Sequence, residues 1–320
     1  LQENRQFVAP RPAGRDLAAL VPHLIVAATA AYLLAFVIKA PVAQLVTRLP
    51  DDACYYFKIG ENVARGAGST FDGCHPTNGF HPLWVLMIAS VHLIVRSTPE
   101  IMIKVYLVLQ IALVVTAWGL AASVLRPRFA RPAVALAAVF FAYFVFQRAV
   151  NGMESALLVC LLAGLLHHCC RCELFSRPTA GSLIVAGVLL GAVLLTRLDL
   201  VFFAAGLNLV MLVWLQRGHT LTWTLLRVGL VALVAGIVVA PAIVYNVLLF
   251  GHPVPISGQL KSAFRRRPSP RRRCGRSAVS TRYSWPWPCY TSALRRPPAA
   301  AITRYRSGTT PTAFSSRRWR

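Results

Sequence analysis

Apolar residues in this chain come in long, nearly unbroken blocks separated by short polar stretches, without the period-two alternation of half-buried strands. Leu17–Ile38, Ile101–Leu125, Met153–Leu166 (continuing to about Cys170), Ala180–Thr196, Leu200–Leu215 and Thr224–Leu248 each approach or exceed the length at which a helix crosses a bilayer. Pro132–Phe146 joins them once Ala149 and Val150 are counted. Pro82–Val95 holds only 14 residues and reads as a re-entrant or juxtamembrane segment. The expected fold is an all-α membrane protein of about seven transmembrane helices plus that half-inserted segment. Leu17–Ile38 lacks a small-residue cleavage site, so it reads as a retained helix and not as a signal peptide.

The longest polar stretch, Asp51–Trp84, breaks this pattern. It holds four of the ten acidic residues (Asp51, Asp52, Glu61, Asp72) and two His-Pro steps, His75-Pro76 and His81-Pro82. Its first part has a helical period: Ala53, Tyr56, Phe57, Gly60, Val63 and Ala64 share one face, and Lys58, Glu61 and Asn62 fall elsewhere. Asp52 is expected as the N-cap and Gly66 as the C′ residue of a short helix lying on a membrane surface. The helix dipole there favours ionised Asp51 and Asp52. Capping alone would also account for Asp52.

Charged residues make up 14% of the chain, against roughly 25% in soluble domains, and mean hydropathy is +0.57. A net charge of +24 invites a nucleic-acid reading, but fifteen arginines lie after Phe264 and none of the acids does. Before that point 19 basic residues face 10 acidic ones, as in a multi-pass protein with basic cytoplasmic loops, and no nucleic-acid partner is expected. If Pro82–Val95 crossed the membrane, the arginines of 126–131 would fall outside. If it returns, the N-terminus, Arg126–Arg131, the Arg171–Arg177 loop and Arg217 all fall in the cytoplasm, as the positive-inside rule requires. This arrangement gathers Asp51, Asp52, His75, His81, Arg148, Glu154, Arg197, Asp199 and Lys261 on the outer face. The chain then divides into a cytoplasmic lead (1–16), a transmembrane core (17–263) with an outer loop (39–100), and an Arg/Pro-rich tail (264–320) expected to be disordered. The tail has the composition of GC-rich DNA read out of frame; the alternative is a genuine basic tail for anionic lipid or nucleic acid. The initial Leu in place of Met reads as the start of a fragment.

Four blocks stand out in order: Asp51-Asp52-Ala-Cys-Tyr55-Tyr56, His75-Pro-Thr-Asn78-Gly-Phe-His81-Pro-Leu-Trp84, Asn151-Gly-Met-Glu154-Ser-Ala, and Thr196-Arg197-Leu-Asp199. With them the chain resembles the polytopic GT-C class of glycosyltransferases, in its bacterial, largely uncharacterised branch, over about residues 15–263. The resemblance implies a seven-helix core with a large first outer loop, sited in the plasma (inner) membrane. It also implies inverting transfer of a sugar from a polyprenyl-phosphate donor to a lipid or glycan acceptor on the outer face. Asp51 or Asp52 would be the general base. The pair also has oxygen donors for a divalent metal, but two adjacent carboxylates on one turn form an incomplete metal site. Arg148, Arg197 and Lys261 are the candidates for the leaving phosphate, and His75, Asn78 and His81 for sugar or phosphate. Beyond Phe264 the class continues with further helices and an outer domain where the acceptor is recognised; this chain departs from that pattern, which makes a non-catalytic truncated remnant one of the competing readings.

Each residue also has a plainer role. Arg197 and Asp199 sit between two apolar runs, where ionisable groups are functional or paired, so a mutual ion pair shaping the turn is the alternative. Glu154, counted with the substrate-binding residues, also fits a helix-start acid. His167-His-Cys-Cys-Arg-Cys172 looks like a metal cluster but has no recognised zinc spacing. Cys54 and Cys74 share the outer loop and could pair there. No Gly-rich phosphate loop and no hydrolase elbow occurs. A transporter or flippase of lipid-linked sugars would show interrupted helices in two matching halves with midplane charges, and neither is visible.

Overall fold

The computed structural model describes residues 19–253, and the regular elements among them are helical. The lead 1–16, Lys261 and the tail 264–320 lie outside the described residues. In chain order the helices are α1 (Val21–Lys39), α2 (Val42–Val46), α3 (Asp51–Ala64), α4 (Pro82–Val95), α5 (Pro99–Leu125), α6 (Arg131–Phe140), α7 (Phe146–Ala149), α8 (Ser155–Arg171), α9 (Ala180–Thr196), α10 (Val201–Gln216) and α11 (Leu221–Phe250). A π-helical turn, Phe141–Val145, joins α6 to α7, and a 3₁₀ turn, Leu198–Leu200, leads into α10.

Among the described residues five stretches are long and apolar enough to cross a membrane: α1, α5, α6 with α7, α10 with its leading turn, and α11. Helices α4, α8 and α9 are apolar but shorter, at 10–17 residues. All eight coincide with the apolar blocks of the sequence.

Contacts between helix ends give the bundle two distinct poles. Lys104 on α5 donates to the Ile38 carbonyl of α1 (2.8 Å), while Trp118 and Arg126, farther along α5, both reach His23 of α1. These helices are therefore antiparallel, and the chain returns through α4 to the pole where α1 ended. Gln110 meets Gly152 and Ser123 meets His167, so α5 and α8 run parallel. Gly187 and Gly191 of α9 lie against Val234 and Val238 of α11, so these two also run parallel. A Cβ at either glycine would stand 2.7 or 2.6 Å from a valine Cβ; the small-xxx-small pair is what lets the backbones close up.

Helix α3 departs from expectation. It starts at Asp51 with Pro50 as N-cap, so Asp52 is a first-turn residue and not the cap. Proline is suited to the entry because its fixed backbone angle needs no N–H donor there. Glu61 and Asn62, which fall off the apolar face in the sequence, are buried as well. Instead of presenting one bare side, α3 packs along α4 (Gly60 against Ile88) and along the first turns of α5 (Phe57 to Tyr106, 4.7 Å). Glu61 is compensated by Lys58 (3.1 Å) and Arg65 (2.7 Å), as a buried carboxylate requires. The glycine expected after the helix is there: Gly66 has φ +78°.

Candidate functional site

The side chains that converge come from four segments. Arg197 leaves α9 in an extended conformation (φ −153°) that turns its side chain onto its neighbours. Its Nε donates to Asp199 Oδ1 (3.1 Å), Nη2 donates to Asp199 Oδ2 (3.0 Å), and Nη1 donates to Glu154 Oε1 (3.3 Å). Glu154 is 2% exposed. His81 Nε2 lies 3.5 Å from the same Oε1, and the His81 ring stacks on Tyr56 of α3, 5.9 Å between centroids and 12° from parallel. Among the described residues, Glu154 Oε2 is buried with no hydrogen-bond partner.

Behind Glu154 the short loop 150–154 is clamped from three sides. Trp84 Nε1 donates to the Gly152 carbonyl (3.1 Å), and the Gly152 N–H donates to Gln110 Oε1 (2.8 Å). Gln110 Nε2 donates to the Met153 carbonyl, and the Met153 N–H donates to Asn151 Oδ1 (2.9 Å). Gly152 has φ +81°, and a Cβ there would stand 2.7 Å from that of Ala53, so only glycine lets α3 seat against this loop. Gln110 lies six positions beyond Lys104, and the loop is thus set about 9 Å below the level where α1 and α5 meet, at the helical rise per residue.

Electrostatics in the cluster follow burial. Tyr56 has its phenol pushed well above the usual range, first by burial and then by the carboxylates of Glu154 and Asp52. Burial pushes the His81 imidazole down; Glu154 and Asp199 pull it back up and Arg197 adds to the depression. Asp52 therefore stands within electrostatic reach of this group, while Asp51 bears on Cys54. Both aspartates are exposed in the first turn of α3.

The remaining sequence candidates go elsewhere. His75 pairs with Asp72 (Nδ1 to Oδ2, 2.6 Å), and Asp72 Oδ1 accepts from the Cys74 and His75 N–H groups, which builds a turn around Gly73. The His75 ring and these N–H groups hold the Asp72 carboxyl at about 2. Asn78 is buried. Arg148 is exposed and makes no hydrogen bond or ion pair among the described residues. Lys261 lies outside them. The Cys54–Cys74 bridge that their shared loop would allow is not formed: Cys54 is a free thiol, and Cys74 is disulfide-bonded to another cysteine. His167 and His168 turn to different partners, Ser123 Oγ and the Ser182 carbonyl. Among the described residues no three His, Cys, Asp or Glu side chains gather as a metal site. Tyr56, Trp84 and Gln110 are the site residues that residue-type reasoning passed over. Gln110 carried a signal, being a lone amide inside an apolar span. Comparison of the chain with protein-family profiles, with curated proteins and with solved structures finds no match.

Proposed function

We propose that this chain is a membrane glycosyltransferase that moves a sugar from a polyprenyl-phosphate donor to a lipid or glycan acceptor, with inversion at the anomeric carbon. The observation that carries the reading is the placement of Arg197. Asp199 fixes its fork and Glu154 holds one more donor, yet the side chain is 41% exposed. With three N–H groups committed, the guanidinium keeps further donors for the oxygens of a lipid phosphate. Asp52, on the neighbouring helix start, is the base. It takes the proton from the acceptor hydroxyl as that oxygen bonds to the anomeric carbon, the carbon–phosphate oxygen bond breaks, and polyprenyl phosphate leaves with its charge facing Arg197.

The alternating helix directions support seven crossings, with α8 and α9 completing the count, the N-terminus in the cytoplasm and the clustered pole outside, in the inner membrane of a bacterium. That the sequence shows no internal repeat in two matching halves favours a transferase over a transporter.

The test is transfer from labelled polyprenyl-phosphate sugars by the full chain reconstituted in vesicles. Asp52→Asn is expected to lower turnover about 100-fold or more while donor binding persists, and Asp51→Asn to lower it less. Unchanged turnover in Asp52→Asn would remove the base assignment. Absence of transfer by the unmodified chain across a panel of donor sugars would remove the transferase reading itself.

A further inference from the structure

Glu154 has a role that the donor-phosphate reading leaves unused. Its carboxylate is buried, with Oε1 shared between Arg197 and His81 and Oε2 without a hydrogen-bond partner among the described residues. A buried acceptor left without a donor is costly, and loops pinned as firmly as this one do not retain such a group by slackness. Gln110, Trp84 and Asn151 all act on the backbone of 151–153, so the fold goes to some length to hold this side chain where it is. Among the described residues its ion-pair partners are the partly exposed Arg197 and His81.

We infer that Glu154 accepts a hydrogen bond from the hydroxyl on the carbon next to the anomeric carbon of the transferred sugar. The inference rests on the proposed donor. In a glycosyl phosphate the phosphate-bearing oxygen and that hydroxyl are vicinal. A cation for the first and an acceptor for the second must therefore be neighbours, as Arg197 Nη1 and Glu154 Oε1 are at 3.3 Å. When Arg197 turns its remaining donors to the phosphate, the carboxylate behind it is uncovered for the adjacent hydroxyl. Hydrogen bonds at that position strengthen as the anomeric carbon gains positive charge, so the contact favours the transition state as well as binding. The site accordingly selects sugars with a free 2-hydroxyl over 2-deoxy sugars.

The experiment measures binding by the full chain in lipid nanodiscs of three probe classes: bare polyprenyl phosphate, polyprenyl-phosphate hexoses and pentoses, and their 2-deoxy counterparts. The expected result is that the bare carrier binds, that at least one sugar adds affinity, and that its 2-deoxy form loses about tenfold. In Glu154→Gln the bare carrier still binds, but the preference for the 2-hydroxyl collapses. If carrier and sugar bind while the 2-deoxy form binds equally well, or Glu154→Gln keeps the preference, the inference fails and the donor reading stands. Failure of the bare carrier to bind sinks the donor reading and this inference with it. If Glu154→Gln does not fold, the 2-deoxy comparison on the unmodified chain decides alone.

Discussion

His81 is the residue whose protonation state decides how the cluster is held together. Burial depresses its imidazole, so near neutral pH the ring stacks on Tyr56 uncharged. Because the folded value lies below the ordinary 6.5, the unfolded chain takes up the proton first as pH falls. Stability is therefore full above 6.5 and declines from there down to the lower folded-state value. Thermal melting in detergent should show a midpoint that drops as pH is lowered from 7 towards 5, and His81→Gln should flatten that slope while lowering the midpoint at neutral pH. The two histidines of the paired His-Pro pattern look alike in the sequence but differ here. His75 is spent on an exposed turn with Asp72, whereas His81 is spent on the cluster. Their difference arises from what stands behind each ring, which in the case of His81 is a helix start more than seventy residues away in the chain.

At the level of elements, the close approaches are made by glycine. Gly60 brings α3 onto α4, Gly152 seats α3 against the loop that carries Glu154, and Gly187 with Gly191 joins α9 to α11. The last pair controls where Arg197 emerges, because α9 ends one residue before it. Gly191→Val would put side-chain atoms into Val238 and the Ala235 carbonyl. It is expected to cost ~1–3 kcal/mol of stability by overpacking and to displace Arg197 from Glu154. A lower melting midpoint together with weakened binding of bare polyprenyl phosphate would show both effects. The apolar length of α9 and α11 was readable from hydropathy, but their pairing was not, since each carries small residues on more than one face.

For the whole molecule, the two poles make a prediction about sidedness. Ser123 and Arg126 lie at the pole with His23, while the α4–α5 turn around Thr98 lies at the pole with Ile38. With the proposed orientation, a cysteine at Ser123 should react with an impermeant reagent only from the cytoplasmic side, and one at Thr98 only from outside. Equal access from one side would show that α5 does not cross.

Read alone, the sequence determined which segments are helices and roughly where they end. These are local properties. In hydrocarbon every backbone group must be satisfied within its own segment, so an apolar block of sufficient length has one way to fold. The block boundaries at residues 126–131 and 197–199 likewise follow from the cost of charge in that environment. Only the tertiary structure decided which polar residues meet. It set Glu154 behind Arg197, gave Gln110 and Trp84 to the same loop, buried Glu61 between two cations, and left Arg148 outside the cluster. Those partnerships join residues about forty or more positions apart, apart from Glu61's own helix turn, and depend on how helices with many near-equivalent apolar faces choose among one another. That choice is made by small-residue contacts and by the need to pair each buried polar atom, and no window of sequence contains both sides of it.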